Sequence, residues 1–262
     1  MIKKIGIFPH PPVVIPEIGK NESSKVAKTY KSMEKLAKEF VDDGIKKILI
    51  LSPHGPAYSR MLAINISDIL CGDLKDFGFN EKIEFKNNLK ISNELSTRGF
   101  YPIKVPLDHG VLVPLYFFDK LKAEVELVSI STGFMGKKEL ERMGKIIGNI
   151  LQRDINYKND DFGLIVSADL SHRLKSDSYY GFSEDGPVFD KMVCEAVDTG
   201  KVEELINIPM EIVEGAGQCG YIPLLLAAFA VSGFKVNSEV LSYEKPFGVG
   251  YMVGKCDIYY EE

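Results

Sequence analysis

The chain has no tryptophan, and only four cysteines and four histidines among 262 residues. Its cysteines, Cys71, Cys194, Cys219 and Cys256, stand far apart with no CxxC pair. That spacing excludes a zinc ribbon and a dense disulfide framework, and it fits a reducing compartment. Long apolar runs are missing too. No segment approaches the ~20 consecutive apolar residues of a membrane-spanning helix. The opening MIKKIGIFPHPP stays apolar too briefly before Pro9 to read as a secretory signal. Nor does charge of one sign dominate: 32 Lys and Arg against 37 Asp and Glu leave a net charge of −5, so no global basic surface offers itself to nucleic acid. These absences predict a cytoplasmic protein with neither nucleic acid nor membrane as a partner. The patterns G-x-x-x-x-G-K-[ST], H-E-x-x-H and G-x-S-x-G are also lacking, which removes P-loop, zincin and α/β-hydrolase chemistry.

What is present has ordinary globular composition, and no repeat, low-complexity tract or linker interrupts it, so one domain over residues 1–262 is expected. Short apolar runs alternate with longer amphipathic stretches. KKIGIF (3–8), KKILILS (46–52), AEVELVSIS (123–131) and FGLIVSADL (162–170) read as strands, and MLAINIS (61–67) as a further one. Ser23 to Asp42, residues 88–98, VLVPLYFFDKLK, KKELERMGKIIGNILQRD, EDGPVFDKMVCEAVDTG and IPLLLAAFAVSG read as helices. PIKVPL is a short extended piece, and KVNSEVLSYEKPFGVGYMVGKCDIYY reads as a closing β-hairpin. The alternation predicts an α/β domain with a mostly parallel or mixed central sheet flanked by helices.

The placement of the histidines is the informative feature. His10, His54 and His172 each follow an apolar strand-like run, and His109 follows the extended IKVPLD. Ligands of open α/β sheets bind in the crevice beyond the carboxyl ends of the strands, so four scattered histidines have a place to converge. Proline or glycine flanks three of them, in P-H-P-P, S-P-H-G-P and L-D-H-G, which suits side chains held on tight turns. A lone histidine after a strand is more often a hydrogen-bonded structural residue than a ligand; the joint pattern is what points to a metal. Asp108 and Asp169, beside His109 and His172, read equally as carboxylates that orient a ring or a substrate and as helix-cap or turn acids.

PHPP at 9–12, SPHGP at 52–56, PLDHG at 106–110 and SADLSH at 167–172 occur in the order found in class III extradiol dioxygenases of the LigB type. With GAGQCGYIPLLLAAFA and KPFGVGYMVG, the chain resembles the MEMO-like branch called AmmeMemoRadiSam system protein B. The resemblance implies Fe(II) bound by His10 and His54, with zinc or copper as alternatives. His172 would be the acid–base group and His109 a second pocket histidine that stabilises substrate or oxygen. The family's third ligand is a glutamate. This chain reads Gln218-Cys219-Gly220 there, so Cys219, Glu214 and Gln218 are the candidates. A thiolate would favour softer ions. The implied activity is ring cleavage of a small aromatic diol. The alternative is a non-oxygenase protein that binds a peptide-like or small ligand, with a radical SAM partner and room for an oligomer. GAGQCG also satisfies G-x-G-x-x-G, but NIPMEIVE before it is a poor buried strand.

Overall fold

KILILS, apolar almost throughout, can bury both faces only in the middle of a sheet, and it lies there. The computed structural model describes residues 1–157 and 160–259. In chain order its elements are β1 (Ile2–Phe8), α1 (Pro16–Gly19), α2 (Ala27–Asp42), β2 (Lys47–Ser52), β3 (Ala63–Asn65), β4 (Ile69–Leu74) and β5 (Phe79–Asn87). There follow α3 (Leu89–Thr97), β6 (Tyr101–Ile103), α4 (His109–Lys120), β7 (Glu126–Ser131), α5 (Lys137–Gly148) and β8 (Phe162–Ser167). The chain closes with α6 (Asp185–Asp198), α7 (Met210–Gly215), α8 (Tyr221–Ala230), β9 (Lys235–Glu244) and β10 (Tyr251–Tyr259). Among the described residues these strands form one mixed sheet in the order β4-β5-β7-β2-β8-β1-β10-β9, with β3 and β6 added beside β7. The five strands from β5 to β1 run parallel. Antiparallel β4 closes one side and β10 with β9 the other.

Strand periodicity divides the core between the two faces of the sheet. In β2, Leu49 and Leu51 pack with α5 and α8, while Ile48 and Ile50 face α2 and α4. In β8, Leu164 and Val166 join the first face and Ile165 the second. The parallel strands are therefore buried on both sides, as their sequences require.

The helix expected from Ser23 begins as an α-helix only at Ala27, after a 3-10 stretch over Lys20–Val26. Val26 has no side chain able to cap, and the distant Glu244 carboxylate instead accepts the Thr29 N–H at 2.7 Å. The hairpin of β4 and β5 was not foreseen. It lies at the edge of the sheet with exposed residues alternating along it, which dilutes its apolar signal. MLAINIS shortens to Ala63–Asn65. The expected closing hairpin forms through β9 and β10; its last residue, Tyr260, lies outside the described residues.

Helix α5 lies close against α8 because it turns glycines toward it. A Cβ at Gly148 would stand 2.2 Å from the Ala230 carbonyl oxygen, a backbone atom with no rotamer to yield. Gly148→Ala is expected to destabilise the fold by about 1–3 kcal/mol through overpacking, which outweighs the roughly 1 kcal/mol that alanine gains in a helix. Urea denaturation checks the sign.

Candidate metal centre

Strands β1, β8 and β2 are adjacent and parallel, and the chain leaves each through a turn that carries one histidine: His10, His172 and His54. His109 is the first residue of α4. Asp108 caps that helix, its Oδ1 accepting the Val111 N–H at 3.2 Å and the Ser52 hydroxyl at 2.9 Å. These bonds tie the start of α4 to the end of β2 and set the His109 ring 4.3 Å from that of His54, centroid to centroid. The His10 ring lies 4.8 Å from His54 and 5.6 Å from His109. One ring nitrogen from each of these three falls within 4.8 Å of the others. His172 stands apart from that group, across the Cys219 thiol. Cys219 Sγ is 3.5 Å from His10 Nε2 and 3.8 Å from His172 Nε2.

The hydrogen bonds fix which nitrogen of His10 faces the centre. Ser167 Oγ donates its proton to the Gly110 carbonyl, which can only accept. The contact of 2.8 Å between Ser167 Oγ and His10 Nδ1 is then an N–H donated by the ring. The neutral ring carries its proton on Nδ1, and Nε2 presents a lone pair. This is the outer-shell arrangement typical of metal-binding histidines.

His10 Nε2 and His54 Nε2 lie 3.0 Å apart. Two nitrogens each about 2.1 Å from one ion, at right angles, are separated by about 3.0 Å. Electrostatics also suit an ion. Burial, then the nearby imidazoles of His54, His109 and His172, push His10 well below the usual histidine range. Burial lowers His54 and His109, with Asp108 opposing in both cases. Burial, followed by His54, brings His172 down to about 4. Four neutral imidazoles therefore stand at the strand ends at neutral pH, and the neutral ring is the form that binds a metal. The residues fit a divalent metal.

The other candidates divide. Burial raises Asp169 to about 7, opposed by the bond from the His10 backbone N–H to its Oδ1 at 2.8 Å. Its Oδ2 lies 3.8 Å from His10 Nε2. Asp169 thus steadies the His10 turn, and Asp108 caps a helix. Among the described residues neither carboxylate bonds to the ring of its neighbour in sequence, so the ring-orienting role is corrected for both. Gln218 Oε1 accepts the Tyr221 N–H at 2.7 Å, which commits it to the start of α8. Glu214 is exposed on α7 and lines a cavity beside the centre, outside the three-imidazole group. Burial, then Asp169, raises the Cys219 thiol, which is protonated until an ion displaces the proton.

Sequence reasoning missed three residues. Ser167 lies inside a motif that was read for its histidine and aspartate. Tyr180 packs against His172 with ring centroids 5.1 Å apart, and Phe77 against His109 at 5.8 Å. Both aromatics lie in exposed segments that carry no local signal. Ser167→Ala frees the His10 ring to change tautomer and is expected to weaken metal binding by about 10–100-fold. Competition with a chelating dye measures it; an unchanged affinity would refute the tautomer argument.

Comparison with known proteins follows the same lines. A family model described as the catalytic LigB subunit of aromatic ring-opening dioxygenase matches residues 5–254. Protein CA_C1420 of Clostridium acetobutylicum is 33% identical over 270 residues, covering 97% of this chain. The chain spans 57% of that relative's length. The crystal structure of an uncharacterized protein, JW3007, from Escherichia coli K12 shares the fold at a TM-score of 0.63, with 14% identity, over 97% of this chain and 99% of that one.

Proposed function

The chain belongs to the LigB family of aromatic ring-opening dioxygenase catalytic subunits, and from that premise we propose that it opens the ring of a small aromatic diol with the help of one bound metal ion. The observation that carries this reading is the meeting of His10, His54 and His109 within 4.8 Å, with the His10 lone pair turned inward by Ser167. We assign His10 and His54 as ligands and ferrous iron as the ion. Three neutral imidazoles suit iron, zinc or copper, and entry of the Cys219 thiolate would tilt the choice toward zinc or copper. If both His109 and Cys219 joined the pair, the site would close as structural zinc sites do. The reading needs one of them to stay out.

When bound, the ion supplies a Lewis-acidic centre with open positions for a diol and dioxygen. His172, neutral and outside the ligand group, takes a proton from the diol hydroxyl at Nε2 and returns it later in turnover. Tyr180 packs against that ring. Phe77 packs against His109 and offers an apolar surface near the ring of a bound diol.

A second reading, that of a MEMO-like protein which binds a ligand without oxygen chemistry, is favoured by one observation: Gln218 caps α8 where a ring-cleaving relative would carry its glutamate ligand. Oxygen uptake decides between them. Protein reconstituted anaerobically with Fe(II) is expected to consume oxygen with catechols at an ordinary enzymatic rate, about 1–10³ s⁻¹. Catechol binding without uptake would establish the second reading.

A further inference from the structure

Beside the histidine centre lies a cavity of ≈ 770 Å³. It opens beyond the carboxyl ends of β2 and β7, between the first turns of α5 and α8, with α7 as a further wall. Pro53 and Cys219 belong to its lining. Pro53 precedes His54, and the Cys219 thiol is 3.5 Å from His10 Nε2, so the cavity and the centre share a boundary. None of the four histidines lines it.

The walls are apolar: Met135, Leu140, Val213, Tyr221, Ile222 and Leu225. Besides the buried Thr132, its polar side chains are engaged or lie at the rim. Gln218 caps α8, the Lys137 ammonium donates to the Ile206 carbonyl, and Glu214 is exposed. The volume falls in the range of roughly 300–1,000 Å³ that holds drug-sized ligands, more space than a diol of one ring takes up.

We infer that the ligand is a diol bearing a long apolar tail, alkyl or aryl, with the head at the histidine centre and the tail in this cavity. The inference rests on the diol reading above and adds the substrate's second half. The tail binds by leaving water, so each methylene tightens the complex until the cavity is full.

Calorimetric titration with catechol, propyl-, hexyl- and nonylcatechol, and with nonanol as a tail without a head, tests it under anaerobic conditions. The dissociation constant is expected to fall by up to about fourfold per methylene. Ile222→Trp, and Val213→Phe as a second blocking variant, should abolish the gain beyond the first few carbons. Ile222→Ala should keep it, and far-ultraviolet circular dichroism confirms that each variant is folded. Equal affinity along the series, or the same gain in both folded blocking variants, would overturn the tail site and leave the diol reading intact. Nonanol binding that the blocking variants abolish, with no added affinity from the catechol head, would support the cavity and overturn the diol reading.

Discussion

Alanine at His10 is expected to strip the protein of metal. His10 is 2% exposed, its Nε2 lies 3.0 Å from that of His54, and its other nitrogen is held by Ser167. Loss of the ligand should weaken binding by more than the roughly 10–100-fold that an outer-shell partner contributes. Elemental analysis of anaerobically purified protein provides the measurement, with His54→Ala expected to behave alike. Thermal melting adds an independent reading. Metal stabilises the wild type by about 2.7 kcal/mol at one hundred times its dissociation constant, and the variant should melt at one temperature with or without added Fe(II). Acid should act in the same direction. Each of the four histidines has a folded pKa below its unfolded value near 6.5, His172 at about 4. Between those values the unfolded chain binds protons that the folded one refuses, so stability falls as the pH drops through the window. Metal retained at full occupancy in His10→Ala would remove His10 from the ligand set.

The parts of the centre that the sequence discloses are those written into continuous strands. Ile48 to Leu51 are apolar at every position, which only a strand buried on both faces explains, and the residue that follows its turn is placed by that fact alone. The same holds for Phe162–Ser167 ahead of His172 and for Ile2–Phe8 ahead of His10. His109 depends on more. Its position against His54 is set by Asp108, which caps the start of α4 locally and accepts the Ser52 hydroxyl at the end of β2, and that second contact joins segments far apart in sequence. Ser167 is less legible still, because its role lies in a bond to a ring 157 residues away. Nothing in YYGF announces that Tyr180 reaches His172. Gln218 shows the opposite difficulty: the motif marks it as a replaced ligand, whereas the local geometry uses it as a helix cap. The alternation of β4 is weakened because a glycine, Gly72, takes one of its buried positions and Ile69 stands exposed, and that of β5 because Asn80, Glu81 and Lys82 run together, which is why the hairpin is hard to read from sequence.

Alanine at His172 is expected to abolish turnover and leave the metal in place, which separates it from His10. The ring lies beyond Cys219, outside the three-imidazole group, so its removal takes no ligand from the ion. What it removes is the proposed proton acceptor. Loss of a positioned acid–base group lowers the rate by about 10²–10⁴-fold, and kcat should fall with little change in KM, since the three-imidazole group that would hold the ion is untouched. The pH profile tests the role more sharply. kcat/KM reports the free protein, so its acid limb in the wild type should lie below the usual histidine range because burial and the neighbouring His54 disfavour the His172 imidazolium, while metal content, followed in parallel, shows that this limb is not metal loss. A bound diolate raises the His172 pKa by placing negative charge beside the imidazole, so the limb of kcat should lie at higher pH than that of kcat/KM. His172→Ala should lose the limb, and His172→Asn, which keeps most of the packing under Tyr180, should resemble the alanine variant in rate. A His172→Ala protein that loses metal and fold together would assign the residue to structure. One that turns over at the wild-type rate would move the proton transfer to Asp169, whose raised pKa of about 7 makes it the next acid–base group at the centre.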